Sequence, residues 1–175
     1  ITFRLLNREF ALTLAQFNSI FQFPAGGERR VPIEFNASTF WSNIAGDMSS
    51  YDLSRSKATS LGNPCFRYLH RVMSHTLFGR GDSDGTVRRD ELFFLWAMLE
   101  QFNVDTGSFL IRHLVKVSKA GAGSIVIGGY ITAIARFLRL NLSGLNAEKG
   151  SSRIDIDACL AIKMIIKENG RYYLP

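Results

Sequence analysis

Cysteine is almost absent. Cys65 and Cys159 stand 94 positions apart, which excludes a disulfide scaffold and a cysteine-rich zinc module. Long apolar runs are absent too. A long uncharged stretch, Ala120 to Ala135, has sixteen residues, four of them glycine, between Lys119 and Arg136. A bilayer span needs roughly 20 apolar residues, so no membrane span is expected. Histidine occurs three times, with no HExxH or HxxxH spacing, and no GxSxG, Walker loop or paired catalytic carboxylate occurs. Neither a metal nor a cofactor is implied. The chain opens on Ile1 without methionine, basic leader or signal-like apolar run. It reads as one intracellular domain over 1–175, cytoplasmic or nuclear, and as a piece of a longer protein.

What is present suits a packed core. Hydrophobic residues make up 46% and charged residues 21%, which argues against long disorder and fibrous repeats. Residues 1–13 alternate around Asn7-Arg8 and predict a β-hairpin or two short strands. Thr13 and Gln16 form a capping-box pattern, opening a helix with Leu14, Phe17, Ile20 and Phe21 on one face, ended by Pro24 and Gly26-Gly27. Residues 24–35 read as an exposed loop with Glu28, Arg29 and Arg30 at its tip. A short helix is expected over 38–44, then a polar connection over 46–63.

Asn63-Pro64 caps a helix over 64–78. Phe66, Leu69, Val72, Met73 and Leu77 face the core in this reading, and Arg67, Arg71 and His75 share an outer face. Eight consecutive apolar residues, Leu92 to Leu99, predict that the helix over 88–102 is the most buried. Asp105 caps a helix over 106–119. Residues 125–140 read as a strand leading into a helix. Residues 154–168 read as a helix capped by Asp155 and stopped by Asn169-Gly170, with a strand as competitor because β-branched residues are frequent. The fold class is therefore α+β, predominantly helical, with an N-terminal strand pair.

Three constellations invite a chemical reading. The loop Arg80 to Glu91, RGDSDGTVRRDE, places Asp82, Asp84, Gly85, Val87 and Glu91 in EF-hand slots, yet Arg80 fills the first ligand slot. A cation there excludes useful Ca²⁺ affinity, and Asp82 and Asp84 are expected to shape a turn before the next helix. GAGSIVIGG, 121–129, lacks the lysine of a phosphate loop and is read as a sharp turn. His70, His75 and His113 are expected as partly exposed helix residues. An enzyme using His70, His75 or Cys65 is the least favoured alternative.

The remaining signal is charge. Between Thr106 and Ala147 there are five cations, Arg112, Lys116, Lys119, Arg136 and Arg139, and no acid. Such a stretch is an ordinary solvated surface or a phosphate-binding face, because neutralising phosphates releases counterions. Arg67 and Arg71 extend the candidate set.

NPCFRYLHRVMSHTLFGRGDSDGTVRRDELFFLWAML (63–99), VDTGSFLIRHL (104–114) and GSIVIGGYITAIARFL (123–138), with FWSNIAG (40–46) and RSKATSLGNP (55–64), together resemble the Athila open-reading-frame-one family. Those proteins are encoded by plant gypsy-class retrotransposons and by host loci derived from them. The opening, residues 3–24, is also similar to the strand-then-helix start of the plant mobile domain. The resemblance implies a Gag-like, non-enzymatic module that self-associates and contacts RNA or DNA backbone, and it brings no catalytic residues. The alternative is a domesticated plant host protein acting as a protein–protein interaction module, with Phe23, Trp41 and Tyr172-Tyr173 as contact residues.

Overall fold

The computed structural model describes residues 1–46, 49–80, 85–120, 128–145 and 155–173. The chain divides into two compact units, 1–30 with 103–149 and 31–102 with 150–175. Among the described residues there are seven α-helices and two antiparallel strand pairs, one of them N-terminal. The α+β, predominantly helical class expected from the sequence is the one observed.

The first unit opens with β1 (Thr2–Leu5) and β2 (Arg8–Ala11), paired from Thr2↔Ala11 to Leu5↔Arg8. Leu6 and Asn7 make the turn, both with positive φ (48° and 60°), the hand that two-residue hairpins need. The capping box forms at the start of α1 (Leu14–Phe21). Thr13 Oγ1 accepts from the Gln16 N–H at 3.2 Å, and Gln16 Oε1 accepts from the Thr13 N–H at 2.9 Å. The helix ends before Pro24, because Gln22 turns left-handed and the Phe23 N–H closes on the Asn18 carbonyl.

Both α5 (Thr106–Ser118) and α6 (Gly128–Phe137) pack on α1. Phe17, Phe109, Leu110, Leu114, Ile134 and Ala135 are buried there. The Phe21 ring meets Phe17 at 4.9 Å and Tyr130 edge-on at 5.3 Å. The expected strand over 125–127 lies outside the described residues, as do residues 121–127 of the turn read over 121–129, whose Gly128 and Gly129 open α6.

The second unit contains α2 (Ala37–Ile44), a 3-10 turn (Ala58–Ser60), α3 (Pro64–His75), α4 (Arg89–Leu99), α7 (Ile156–Ala161) and the hairpin β3 (Ile166–Glu168)–β4 (Arg171–Tyr173). Asn36 and Asn63 cap α2 and α3 through their side-chain oxygens. α4 packs against both α2 and α3. Its residues Glu91 to Leu95 and Ala97 are buried, while Met98 and Leu99 emerge. Phe35, Phe93, Trp96 and Phe102 form a ring cluster with centroids 5.1–6.3 Å apart.

Sequence reading and structure part at the C-terminus. The helix expected over 154–168 stops at Ala161, and Asn169-Gly170 turns a hairpin instead of ending a helix. Both turn residues have positive φ, the signature of an Asn-Gly hairpin. Trp41, a candidate contact residue, is fully buried, and its Nε1–H donates to Ser49 Oγ at 3.1 Å.

The loop before Val31 is exposed in its side chains but fixed in its backbone. The Glu28 N–H donates to the Asn103 carbonyl at 2.8 Å and the Asp105 N–H to the Glu28 carbonyl at 3.0 Å. Gly27, at φ +96°, permits this approach, since a Cβ there would lie 2.8 Å from the Val104 carbonyl carbon. Gly27→Ala should therefore destabilise the fold by about 1–3 kcal/mol, measured by chemical denaturation. An unchanged midpoint would contradict the fixed-loop reading.

Candidate nucleic-acid interface

Asp105 starts the cationic surface. Its carboxylate caps α5 by accepting from the Ser108 N–H at 3.1 Å, and it lies 3.4 Å from Arg29 Nε. That ion pair holds Arg29 over the head of α5. Arg112, about two turns further on, donates to the Arg29 carbonyl and lays its guanidinium 4.2 Å from the centre of the Phe109 ring. Arg29, Arg30 and Arg112 thus share one exposed corner. Arg29 and Arg30 were legible only as loop-tip residues. The acid that fixes Arg29 is distant in sequence, and the Glu28↔Val104 bridge brings the two segments together.

Lys116 lies in the last turn of α5 and Lys119 caps it; Arg136 lies in the last turn of α6 and Arg139 follows it. All four side chains are exposed, and none makes an ion pair among the described residues. The five cations of the acid-free stretch therefore belong to one unit. That unit carries ten lysines and arginines against four acids, and the other carries eleven against eleven. The whole net charge of +6 resides in the first unit.

Arg67 and Arg71 belong to the neutral unit, and Arg67 does not face outward as its spacing suggested. It is 6% exposed, and its guanidinium donates to the carbonyls of Leu61, Gly62 and Lys163, tying α3 to the segment after α7. Burial lowers its pKa from the usual arginine value. Arg71 is half-buried. The buried residues of α3 are Arg67, His70, Met73 and Ser74, so three polar side chains of this helix lie on its inner side. A guanidinium buried against three carbonyls is shielded from phosphate.

The EF-hand-like loop resolves into a salt-bridged cluster. Arg80 Nη1 donates to both oxygens of Glu91 at 2.7 Å and to the Thr86 carbonyl at 2.8 Å. His70 Nε2–H donates to Glu91 Oε2 at 2.9 Å, and the Arg88 N–H to the same oxygen at 2.8 Å. Arg80, His70 and Glu91 are all buried. The carboxylate that would close on Ca²⁺ closes on the chain's own guanidinium. Asp82 and Asp84 lie outside the described residues, and among those described no three His, Cys, Asp or Glu converge on a metal position. His70, expected to be partly exposed, is instead sealed in this cluster. His75 and His113 are half-buried. Cys65 is exposed and Cys159 half-buried.

The chain matches the ATHILA ORF-1 family over residues 1–172 of its 175. The chain belongs to that family. Searches of the curated proteins and of the solved structures find no match. Membership in the ATHILA ORF-1 family makes this a retrotransposon-derived protein, as the resemblance implied. Among its described residues no helix is long and apolar enough to cross a membrane.

The electrostatics of the ATHILA ORF-1 cluster set a pH dependence. Desolvation alone would raise the Glu91 carboxyl pKa. The hydrogen bond and charge of His70, the Arg88 N–H and Arg80 outweigh it and hold the pKa below the usual carboxylate value. Tyr51, whose hydroxyl donates to the Val87 carbonyl at 3.0 Å, is pushed up to about 12 by burial and by the Glu91 charge. Because the folded carboxyl binds its proton less tightly than the unfolded one, acidification protonates the unfolded chain first. The stabilisation by Glu91 is complete above the unfolded pKa, about 4.5, and falls away as pH drops towards the folded value. Denaturation across that window should show a steeper loss for wild type than for Glu91→Ala. Parallel profiles would refute this assignment. At neutral pH, Glu91→Ala should cost about 3–5 kcal/mol, because it leaves the Arg80 charge buried and unpaired.

Proposed function

We propose that the chain is a non-enzymatic, Gag-like module that binds the phosphate backbone of RNA or DNA through the basic unit and self-associates inside the cell. The confinement of the entire +6 charge to one unit carries this reading. A cation spread evenly over a surface serves solubility. A cation excess concentrated beside a neutral unit raises local potential and draws polyanions. Arg112, Lys116, Lys119, Arg136 and Arg139 are its contacts, joined by Arg29 and Arg30 at the Arg112 corner. Family membership supports the Gag-like assignment.

Self-association is assigned to the neutral unit, where copies do not repel one another. Ile33 is 98% exposed, and Leu53 and Leu99 are largely exposed as well. Apolar side chains on a surface without net charge favour contact between like copies. A protein partner of the host remains the alternative occupant of that surface.

Binding to generic RNA and DNA should weaken linearly in log affinity against log salt. The double variant Lys116→Gln/Lys119→Gln should flatten that slope by about 1.4–1.8, the share of two phosphate contacts. Absence of binding to both polymers at low salt would remove the nucleic-acid half of the proposal, and a monomer at all concentrations in sedimentation would remove the other half.

A further inference from the structure

We infer that the C-terminal end of α6 is a single-strand reader, with Phe137 as a stacking platform for an unpaired base and Arg136 and Arg139 as its phosphate contacts. This rests on the phosphate-binding reading above and narrows it to a class of nucleic acid.

The observation is an exposed aromatic that shares a helix end with two exposed arginines. Ile134 and Ala135 form the buried side of α6, while Phe137 is 44% exposed at its last position. Phe137 is the exception among the phenylalanines of this unit, since Phe17 and Phe109 are buried and Phe3, Phe10, Phe21 and Phe23 are half-buried. Arg136 and Arg139 are exposed, and neither makes an ion pair among the described residues.

The helix ending brings the three together. The Arg139 N–H donates to the Arg136 carbonyl at 3.0 Å and the Leu140 N–H to the Ala135 carbonyl at 3.0 Å, which folds the chain back over the last turn. Arg139 takes a left-handed φ of 54° to do so. Both cations therefore stand at the same helix end as the ring.

The chemistry of that trio selects its ligand. An exposed aromatic face stacks on any base but cannot reach one inside a duplex, where the bases already stack on each other. The flanking guanidinium groups take the adjoining phosphates and add cation–π contact. A protein partner of like composition would meet two cations at this helix end, whereas a single strand offers the matching negative charge.

Anisotropy titrations of the chain with a labelled 12-nucleotide oligouridine and a 12-base-pair RNA duplex test this. Phe137→Leu keeps the apolar contact and removes the stacking face. It should weaken oligouridine binding by roughly 5- to 100-fold and leave duplex binding within twofold. Phe137→Trp should retain oligouridine affinity.

Arg139→Gly should weaken both ligands and lower the salt slope by about one contact, yet raise the thermal midpoint, because glycine adopts the left-handed position without strain. An effect of Phe137→Leu on both ligands equally, or on neither, overturns the single-strand inference while leaving phosphate binding in place. Disruption of a wild-type dimer by the same substitution also overturns it, since the ring would then face a second copy. Failure of the wild type to bind either ligand removes the underlying reading and this inference with it.

Discussion

A buried carboxylate organises the neutral unit. Glu91 sits at the head of the most buried helix with no exposure to water, and it is tolerable there only because its oxygens are satisfied from three directions. His70 reaches it from α3, Arg80 from the loop after α3, and the Arg88 N–H from the turn into α4. One charge thereby ties α3, Arg80 and the turn into α4 to one another. The loop is held further by the Val87 N–H to the Ser56 carbonyl and the Ala58 N–H to the Gly85 carbonyl, so the 49–60 connection depends on the same anchor. An EF-hand loop solves the same closure problem with an imported cation. Here the cation is covalently part of the chain, which makes the closure permanent rather than ligand-dependent.

That arrangement explains what the sequence disclosed and what it concealed. Caps and turns were legible because their determinants lie within four residues: Thr13 with Gln16, Asn63 with Pro64, Asp105 with Ser108. The Arg80–Glu91 spacing was visible too, but as a defective metal site. An arginine in a ligand slot reads as repulsion unless it is seen as the ion itself. Arg67 and His70 were misread for a different reason. A four-residue stripe of polar side chains reports a common face, not which way the face points, and apolar Phe66 and Leu69 offered a rival inside. Arg67 is directed by carbonyls of Leu61 and Lys163, the latter 96 positions away, and no local pattern encodes that. Asn169-Gly170 carried a hairpin signal that the preceding helical pattern overrode.

The two units handle their arginines in opposite ways, and this separates structural from available charge. In the neutral unit, Arg67 and Arg80 are buried and bonded to carbonyls or to Glu91. In the basic unit, Arg4 pairs with Glu9, Arg8 lies over the Phe10 ring, and Arg29 and Arg112 have partners as well, yet all four side chains stay at the surface. The candidate interface was therefore partly legible: its five principal cations follow from sequence counting. Its corner at Arg29 does not, because the loop is brought to α5 by backbone hydrogen bonds between distant segments that Gly27 permits.

The plainest rival account of the basic surface is helix electrostatics. Lys116 and Lys119 stand at the end of α5, Arg136 and Arg139 at the end of α6, and cations at helix C-termini are favourable by about 0.3–1 kcal/mol each. The magnitudes decide how far that account goes. A helix terminus presents roughly half a negative charge, whereas each of these ends carries two full positive ones. About one and a half charges per helix end are left over after the dipole is neutralised. An internal acid could have balanced them, yet residues 106–147 contain none. The dipole accounts for where the cations sit; it does not account for their surplus, and a surplus held in water at two helix ends is what a polyanion can use.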